Sequence, residues 1–382
     1  MRVGLTLYIQ NYVDWDRFNA LERGEDAPRL EPNTDATIWE EQIETALKVE
    51  DQGFDSIWVV EHHVSPYTMI TNPIQALSFF AGATSRIDFG TMIVVLPWHN
   101  PLRVAEDMTM LQLMLRGRTP YIGVGRGLGR REFKALGIDM SNSSEMFSEA
   151  IEVIKLALTQ ERFSYDGKHF RYENTTMRPR PRDAEALLDA MCFSWGSPTS
   201  APIGARHGLK PLIIPQKAFE DYHADLASFA QAAAEAGHRP SRPRIHLHMY
   251  CHEDVAVAEA AANKHIPEYL DSAGRNYELN SDHFGKVRGY EHYRQMAANA
   301  NVQDMVGAWI SNCVWGTPEM CIEKIQALCD AFHPEEFMLT GRYGSMPQDV
   351  AQRSIDLFAR EVLPAVQAIP TEDPITYEPT TV

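Results

Sequence analysis

Four stretches of the chain combine residue types and spacing suited to chemistry. Glu61-His62-His63 follows directly on an apolar run, Asp55–Val60. Imidazole has an unperturbed pKa of about 6.5, so a histidine at a strand end can exchange protons near neutral pH. Strand alternation, if it persists, sends Glu61 and His63 one way and His62 the other. A hydrogen-bonded structural histidine meets the same spacing. Gly123-Val124-Gly125-Arg126-Gly127-Leu128-Gly129 lets a backbone approach a ligand closely and offers a planar guanidinium to a phosphate. It meets the dinucleotide pattern G-x-G-x-x-G at Gly123 and Gly125 and departs from it at Leu128, which leaves a strand-end turn as the plainer reading.

The third stretch, Trp195-Gly196-Ser197-Pro198-Thr199-Ser200, sets hydroxyls and free N–H groups where a helix begins. That is an anion site or an ordinary serine cap. Beside Arg126 it becomes two strand ends converging on one phosphate. The fourth, His246, His248 and His252, repeats with period two along one strand face. No HExxH or carboxylate set other than Glu253-Asp254 completes a metal site there, so hydrogen-bonded or pocket-lining histidines are expected and a bound metal is not.

The elements that must position these residues alternate along the chain. Short apolar runs at Arg2–Ile9, Asp55–Val60, Ile87–Val95, Arg118–Val124, Ala190–Trp195, Pro211–Ile214, Ile245–Cys251 and Glu336–Leu339 are suited to buried parallel strands. Helical stripes lie between them. Asn100-Pro101 opens one with Val104, Met108, Leu111 and Leu115 on its face; Thr317-Pro318 opens another, and Ser197-Pro198 a third. Phe147, Ile151, Ile154 and Leu158 mark a fourth, while Gly53 and Gly237 sit where left-handed caps belong. Repeated β-then-α units without a linker predict an α/β fold, a (β/α)8 TIM barrel with insertions on the C-terminal face, rather than a doubly wound sheet. One domain is expected over residues 1–370, with a C-terminal tail at 371–382. Gln10–Ile38 and Asp271–Asn312 are surplus segments that follow strands and are candidate lids; Arg162–Arg182 carries a hairpin signal at Tyr165-Asp166-Gly167-Lys168.

The 382 residues carry a formal net charge of −17, which disfavours nucleic acid and anionic membrane surfaces as partners. Five cysteines without a CxxC pair argue against a disulfide scaffold or thiolate zinc site. With no membrane-spanning run and no leader pattern, a soluble protein of the cytoplasm is expected.

Taken in order, these residues resemble the bacterial luciferase-like flavin monooxygenases, the luciferase α subunit most of all. The resemblance rests on Glu61-His62-His63 with Asn72-Pro73, Gly90-Thr91 through Val95-Leu96-Pro97, and Pro101-Leu102-Arg103-Val104-Ala105-Glu106-Asp107. It continues through Arg116-Gly117-Arg118, Gly123 to Leu128, Phe133 to Ser143, and Gly316-Thr317-Pro318-Glu319, and spans Met1 to about Ile369. It implies an enzyme that binds reduced FMN delivered by a separate flavin reductase and adds O2 to form a flavin C4a-(hydro)peroxide, which oxidises a small organic molecule.

By position, His62 is similar to the family's catalytic histidine. Arg126, Gly196, Ser197 and Ser200 are similar to its phosphate-binding positions, and Met92 and Ile93 to a non-prolyl cis peptide under the flavin ring. Departures are Gly125, where luciferase has a reactive cysteine, and Ser144, where a second phosphate-binding arginine is expected. A homodimer and a mostly apolar substrate are expected, the latter from Trp15, Tyr67, Trp98 and Trp195 near the mouth. Two other outcomes are compatible with the barrel: a deazaflavin (F420)-dependent hydride-transfer oxidoreductase, or a non-catalytic flavin-binding subunit.

Overall fold

The computed structural model describes residues 1–196, 200–279, 281–294 and 302–371. Eight parallel strands close on one another: β1 (Arg2–Leu7), β2 (Ser56–Val59), β3 (Asp88–Val95), β4 (Pro120–Gly125), β7 (Met191–Ser194), β8 (Lys210–Ile213), β9 (Arg244–Cys251) and β11 (Glu336–Thr340). β11 pairs back onto β1 with Arg2 level with Glu336, which completes the (β/α)8 barrel. All eight fall on the apolar runs expected from sequence. The anticipated hairpin is β5 (Phe163–Asp166) with β6 (Arg171–Thr175), antiparallel and outside the barrel.

One strand is additional. β10 (Val314–Gly316) pairs with the end of β9 at Met249–Cys251, beyond the stretch where β9 runs beside β11. At three residues it is too short to show periodicity in the sequence.

Large side chains close the barrel at the N-terminal end of its strands. Arg244 and Glu336 are both fully buried and form an ion pair at 3.2 Å, and Glu335 also meets Arg244 at 2.7 Å. Ser56 donates to the same Glu336 carboxylate, and Trp58 Nε1 donates to Ser56 Oγ at 2.8 Å. Removing two charges from water costs several kcal/mol, roughly, so such a pair persists only when its remaining hydrogen bonds are satisfied in this way. Trp58 needs space: a Cβ on Gly4 or on Gly90 would lie within 3 Å of its indole. With this end filled, the working face is the C-terminal end of the strands.

The helices form where caps and apolar stripes predict. Asn100 accepts the N–H groups of Leu102 and Arg103, and Thr317 accepts that of Met320. Gly53 and Gly237 adopt φ values of 89° and 81°. The surplus segments are more helical than expected. The first contains a helix at Trp15–Glu22, and the next helix starts at Thr34 rather than after Ile38, behind a left-handed Asn33 whose side chain makes no capping bond. The helix after β9 runs Val255–Tyr277 straight through Pro267, a residue that ordinarily ends a helix, so part of the segment from Asp271 is helical.

These insertions are tied together over the strand ends. Trp15 Nε1 donates to Ser272 Oγ at 2.6 Å, Arg275 pairs with Asp16, and Arg131 pairs with Glu22. Residues 281–294 form a smaller apolar cluster, Phe284 and Tyr290 against Phe133 and Met140, above the end of β4. Of the expected tail, residues 372–382 lie outside the described residues.

Candidate active site

His62 follows β2 at the C-terminal mouth of the barrel. Its Nδ1 lies 2.9 Å from Glu132 Oε1 and its Nε2 3.2 Å from the Tyr277 hydroxyl. Burial, reinforced by the nearby Glu132 charge, pushes the Tyr277 phenol well above its ordinary range, so it stays protonated and donates. Nδ1–H therefore donates to the carboxylate and Nε2 accepts, a tautomer assigned from its partners. The edge of Tyr67 packs on the imidazole at 4.7 Å between ring centroids.

Alternation holds at the strand end. Glu61 and His63 turn away from His62 into a separate cluster, in which the fully buried Glu61 carboxylate accepts His63 Nε2 at 3.1 Å, His99 Nε2 at 2.6 Å and the Val95 N–H at 2.7 Å. Burial works against the Glu61 charge, but the bonds from His63, His99 and Val95 outweigh it and hold the carboxyl below its usual range. Burial likewise lowers His99, and its bond to Glu61 more than offsets this, leaving it raised. This cluster ties the end of β2 to the end of β3 and braces His62 from behind.

Glu132 and Tyr277 carry the most weight among residues that sequence reasoning missed. Glu132 sits in Arg130-Arg131-Glu132, a run that reads as a solvated helix turn, yet it is fully buried. Gly129 leaves the carboxylate room: a Cβ there would lie 2.0 Å from Glu132 Oε2, so a larger residue would push it from its place beside His62. Arg130 pairs with Glu278, and Arg131 donates to the carbonyls of Arg275 and Asn276 at the end of the long helix. Two arginines thus lock the short helix carrying Glu132 to the end of the helix carrying Tyr277, with His62 between them.

The glycine-rich turn leaves β4 beside the end of β7, its neighbour in the sheet. The Arg126 guanidinium lies over the Tyr290 ring at 5.2 Å, and no ion pair to it is found among the described residues. Tyr290 donates to the Gly127 carbonyl at 2.7 Å and meets Ser143 Oγ at 2.9 Å. A Cβ at Gly196 would collide with the Tyr293 hydroxyl. Arg126 and Gly196 are therefore brought to one place, under the Tyr290–Tyr293 pair. Ser200 is buried and stands just before the helix Ala201–Arg206; Ser197 lies outside the described residues. The Met92–Ile93 peptide is cis, and Gly125 makes room for Ile93, whose Cδ1 would be 2.1 Å from a Cβ at that glycine.

His246 and His248 point into the barrel, where His246 Nε2 bonds Thr340 Oγ1 at 2.8 Å; His252 lies beyond β9 and accepts the Asp254 N–H. No group of three or more His, Cys, Asp or Glu placed to hold a metal ion is found among the described residues. Of the expected mouth aromatics, Trp195 instead bonds Asp225 and stacks on Phe229, and Trp15 is spent on Ser272. Tyr67 and Trp98 remain beside the histidines, on His62 and His63 respectively.

The parallel barrel brings an oriented imidazole at one strand end and an arginine at another to the same face, a proton-exchanging group and an anion-binding one. Residues 26–332 match the luciferase-like monooxygenase family model, and the chain belongs to that family. The alkanal monooxygenase alpha chain of Photorhabdus luminescens is 26% identical over 329 residues, covering 82% of this chain and 88% of that protein. In fold, the chain is similar to the FMN-bound oxygenating constituent of 3,6-diketocamphane monooxygenase from Pseudomonas putida, at TM-score 0.71 and 20% identity over 95% of this chain and 98% of that one. An F420-dependent secondary alcohol dehydrogenase matches at TM-score 0.65 and 19% identity, covering 96% and 98%. No described helix is long and apolar enough to cross a membrane.

Proposed function

We propose that this chain is a two-component monooxygenase, using reduced FMN from a separate flavin reductase and O2 to oxidise a mostly apolar small molecule. The observation that carries the reading is His62, held between Glu132 and Tyr277 on the same barrel face as an arginine with no ion-pair partner among the described residues. Reduced FMN, when bound, supplies the two electrons that let one O2 oxygen enter the substrate while the other leaves as water.

The residues present fit that group. Arg126 would offer a bidentate cation to the phosphate, and the reading assigns Gly196 and Ser200 to it as further contacts. Met92, Ile93 and Gly125 give an apolar floor for a planar ring. Against this floor, His62 Nε2 is the group placed to take or return a proton, with Glu132 holding Nδ1 and Tyr277 supplying a protonated hydroxyl. Residues 281–294, packed on Phe133 and Met140, and the buried tyrosines would keep water from the bound flavin, which favours transfer to substrate over wasteful reoxidation.

The same reading includes a homodimer. Phe79, Met110 and Met114 are 55%, 46% and 39% exposed on the neighbouring helices Pro73–Ala83 and Pro101–Leu115, an apolar face suited to a second copy. Five unpaired, buried cysteines suit a reducing compartment such as the cytoplasm.

Anaerobic titration with reduced FMN tests the reading. Saturable binding that Arg126→Ala weakens is the expected result. Failure to bind FMN, with reduced F420 bound instead, would move the chain to hydride transfer.

A further inference from the structure

Deep in the barrel mouth, away from the phosphate end, several polar atoms are buried without a partner. Thr6, Thr340 and His248 stand level on the adjacent strands β1, β11 and β9. Gly4, two residues before Thr6, faces the interior against Ser56 and Trp58, so Thr6 points inward too. Thr340 is engaged by His246, but Thr6 Oγ1, His248 Nε2 and the Tyr343 hydroxyl have no hydrogen-bond partner among the described residues. His248 and Tyr343 are each only 1% exposed. An unsatisfied buried polar atom is costly, and three of them on neighbouring elements of the barrel interior point to a group that completes them.

The walls around these atoms are aromatic. The Tyr269 ring lies 4.1 Å from the His248 ring, Tyr343 lies 4.7 Å away, and Trp309 closes a third side at 6.5 Å. Tyr269 shares its hydroxyl with Tyr67 at 3.0 Å, and Tyr67 packs on His62. These groups are thus joined to the proton-handling histidine by one continuous run of aromatic contacts. No lysine or arginine is among these groups. Burial, with His246 alongside, holds the His248 imidazole neutral, so an anion would find no countercharge.

We propose that His248 Nε2 and the Tyr343 hydroxyl form a specificity subsite that hydrogen-bonds an uncharged hydroxyl or carbonyl on an aromatic substrate. The proposal rests on the monooxygenase reading for what happens to that substrate, but binding at the subsite does not need the flavin. A neutral imidazole serves as donor or acceptor according to tautomer, and the phenol does the same, so the pair accommodates either group.

The test is equilibrium binding of three probes to the full chain, by tryptophan fluorescence: 1-naphthol, 1-naphthoate and naphthalene. Wild type is expected to bind 1-naphthol roughly tenfold or more tighter than naphthalene, the scale of leaving buried polar atoms unpaired. Naphthoate should bind more weakly than naphthol. Tyr343→Phe, which removes a single oxygen, and His248→Phe, which keeps a ring, should each erase most of that preference while reduced-FMN affinity stays unchanged. If His248→Phe does not fold, Tyr343→Phe alone decides. Equal affinity for naphthol and naphthalene, tighter binding of naphthoate, no naphthol binding, or a preference both variants retain would overturn the subsite. Naphthol selectivity in a chain that binds no reduced FMN would instead overturn the monooxygenase reading and leave the subsite standing.

Discussion

Glu132 Oε1 sits 2.9 Å from His62 Nδ1, across a sequence separation of 70 residues, and it leaves Nε2 as the accepting nitrogen, facing the Tyr277 hydroxyl. Gly129 leaves room for the carboxylate, and two arginines pin the helix carrying Glu132 to the end of the helix carrying Tyr277, so the geometry around His62 is fixed by the scaffold.

If Nε2 moves a proton during oxygen transfer, His62→Ala should lower turnover by roughly 10²–10⁴-fold, with reduced-FMN affinity nearly unchanged. Glu132→Gln keeps the shape but removes the carboxylate, and should reduce turnover by a smaller factor. Single-turnover kinetics alongside anaerobic titration separate the two quantities. Equal losses of affinity and turnover would make His62 structural.

Arg126→Ala should weaken FMN binding by roughly 10–100-fold, the range for a charged hydrogen bond of about 1.5–3 kcal/mol. Riboflavin, which has no phosphate, should bind the wild type and the variant alike. A variant that loses both ligands equally would show that Arg126 supports the turn and not the phosphate.

Acid should destabilise the fold in two windows. Burial depresses His246 from 6.5 to about 3, so below pH 6.5 the unfolded chain takes a proton the native chain refuses, and stability falls as pH drops toward 3. The slope from one such group is about 1.4 kcal/mol per pH unit. Glu50 acts lower: burial opposes its charge, but backbone N–H groups of Arg86, Ile87 and Ser85 bring it from 4.5 to about 2, so its stabilisation is present above pH 4.5 and lost as pH falls toward 2. Melting temperature against pH should show a shallower decline between 6.5 and 3 for His246→Gln. For Glu50→Gln, the deficit at neutral pH should vanish near pH 2.

Charging the exposed apolar face should separate subunits. Phe79→Asp with Met110→Asp is expected to convert a dimer to a monomer in sedimentation without unfolding, because both side chains already face solvent in the single chain. An unchanged sedimentation coefficient would place the interface elsewhere.

The barrel was legible because its strands are buried on both faces and its caps are local: Asn100, Thr317, Gly53 and Gly237 each announce themselves within a few residues. His62 was legible for the same reason, as a histidine at the end of an apolar run. Glu132 and Tyr277 were not, because what makes them a site is their meeting with His62 over long separations, and Glu132 stands in a charged run that looks solvated. His248 stood out by its period of two, but the sequence could not tell a satisfied imidazole from an unsatisfied one; Thr340 answers His246 and no described group answers His248 Nε2. Trp195 misled because its neighbour, Asp225, comes from a helix behind the barrel.

The most direct test of the central claim is rapid mixing of the protein–reduced FMN complex with oxygenated buffer, followed by flavin absorbance. The account predicts that oxidised flavin returns more slowly than from free reduced FMN, after a distinct earlier phase, and that His62→Ala alters the later phase while leaving binding intact. Reoxidation at the rate of free flavin, in a single phase, would contradict it.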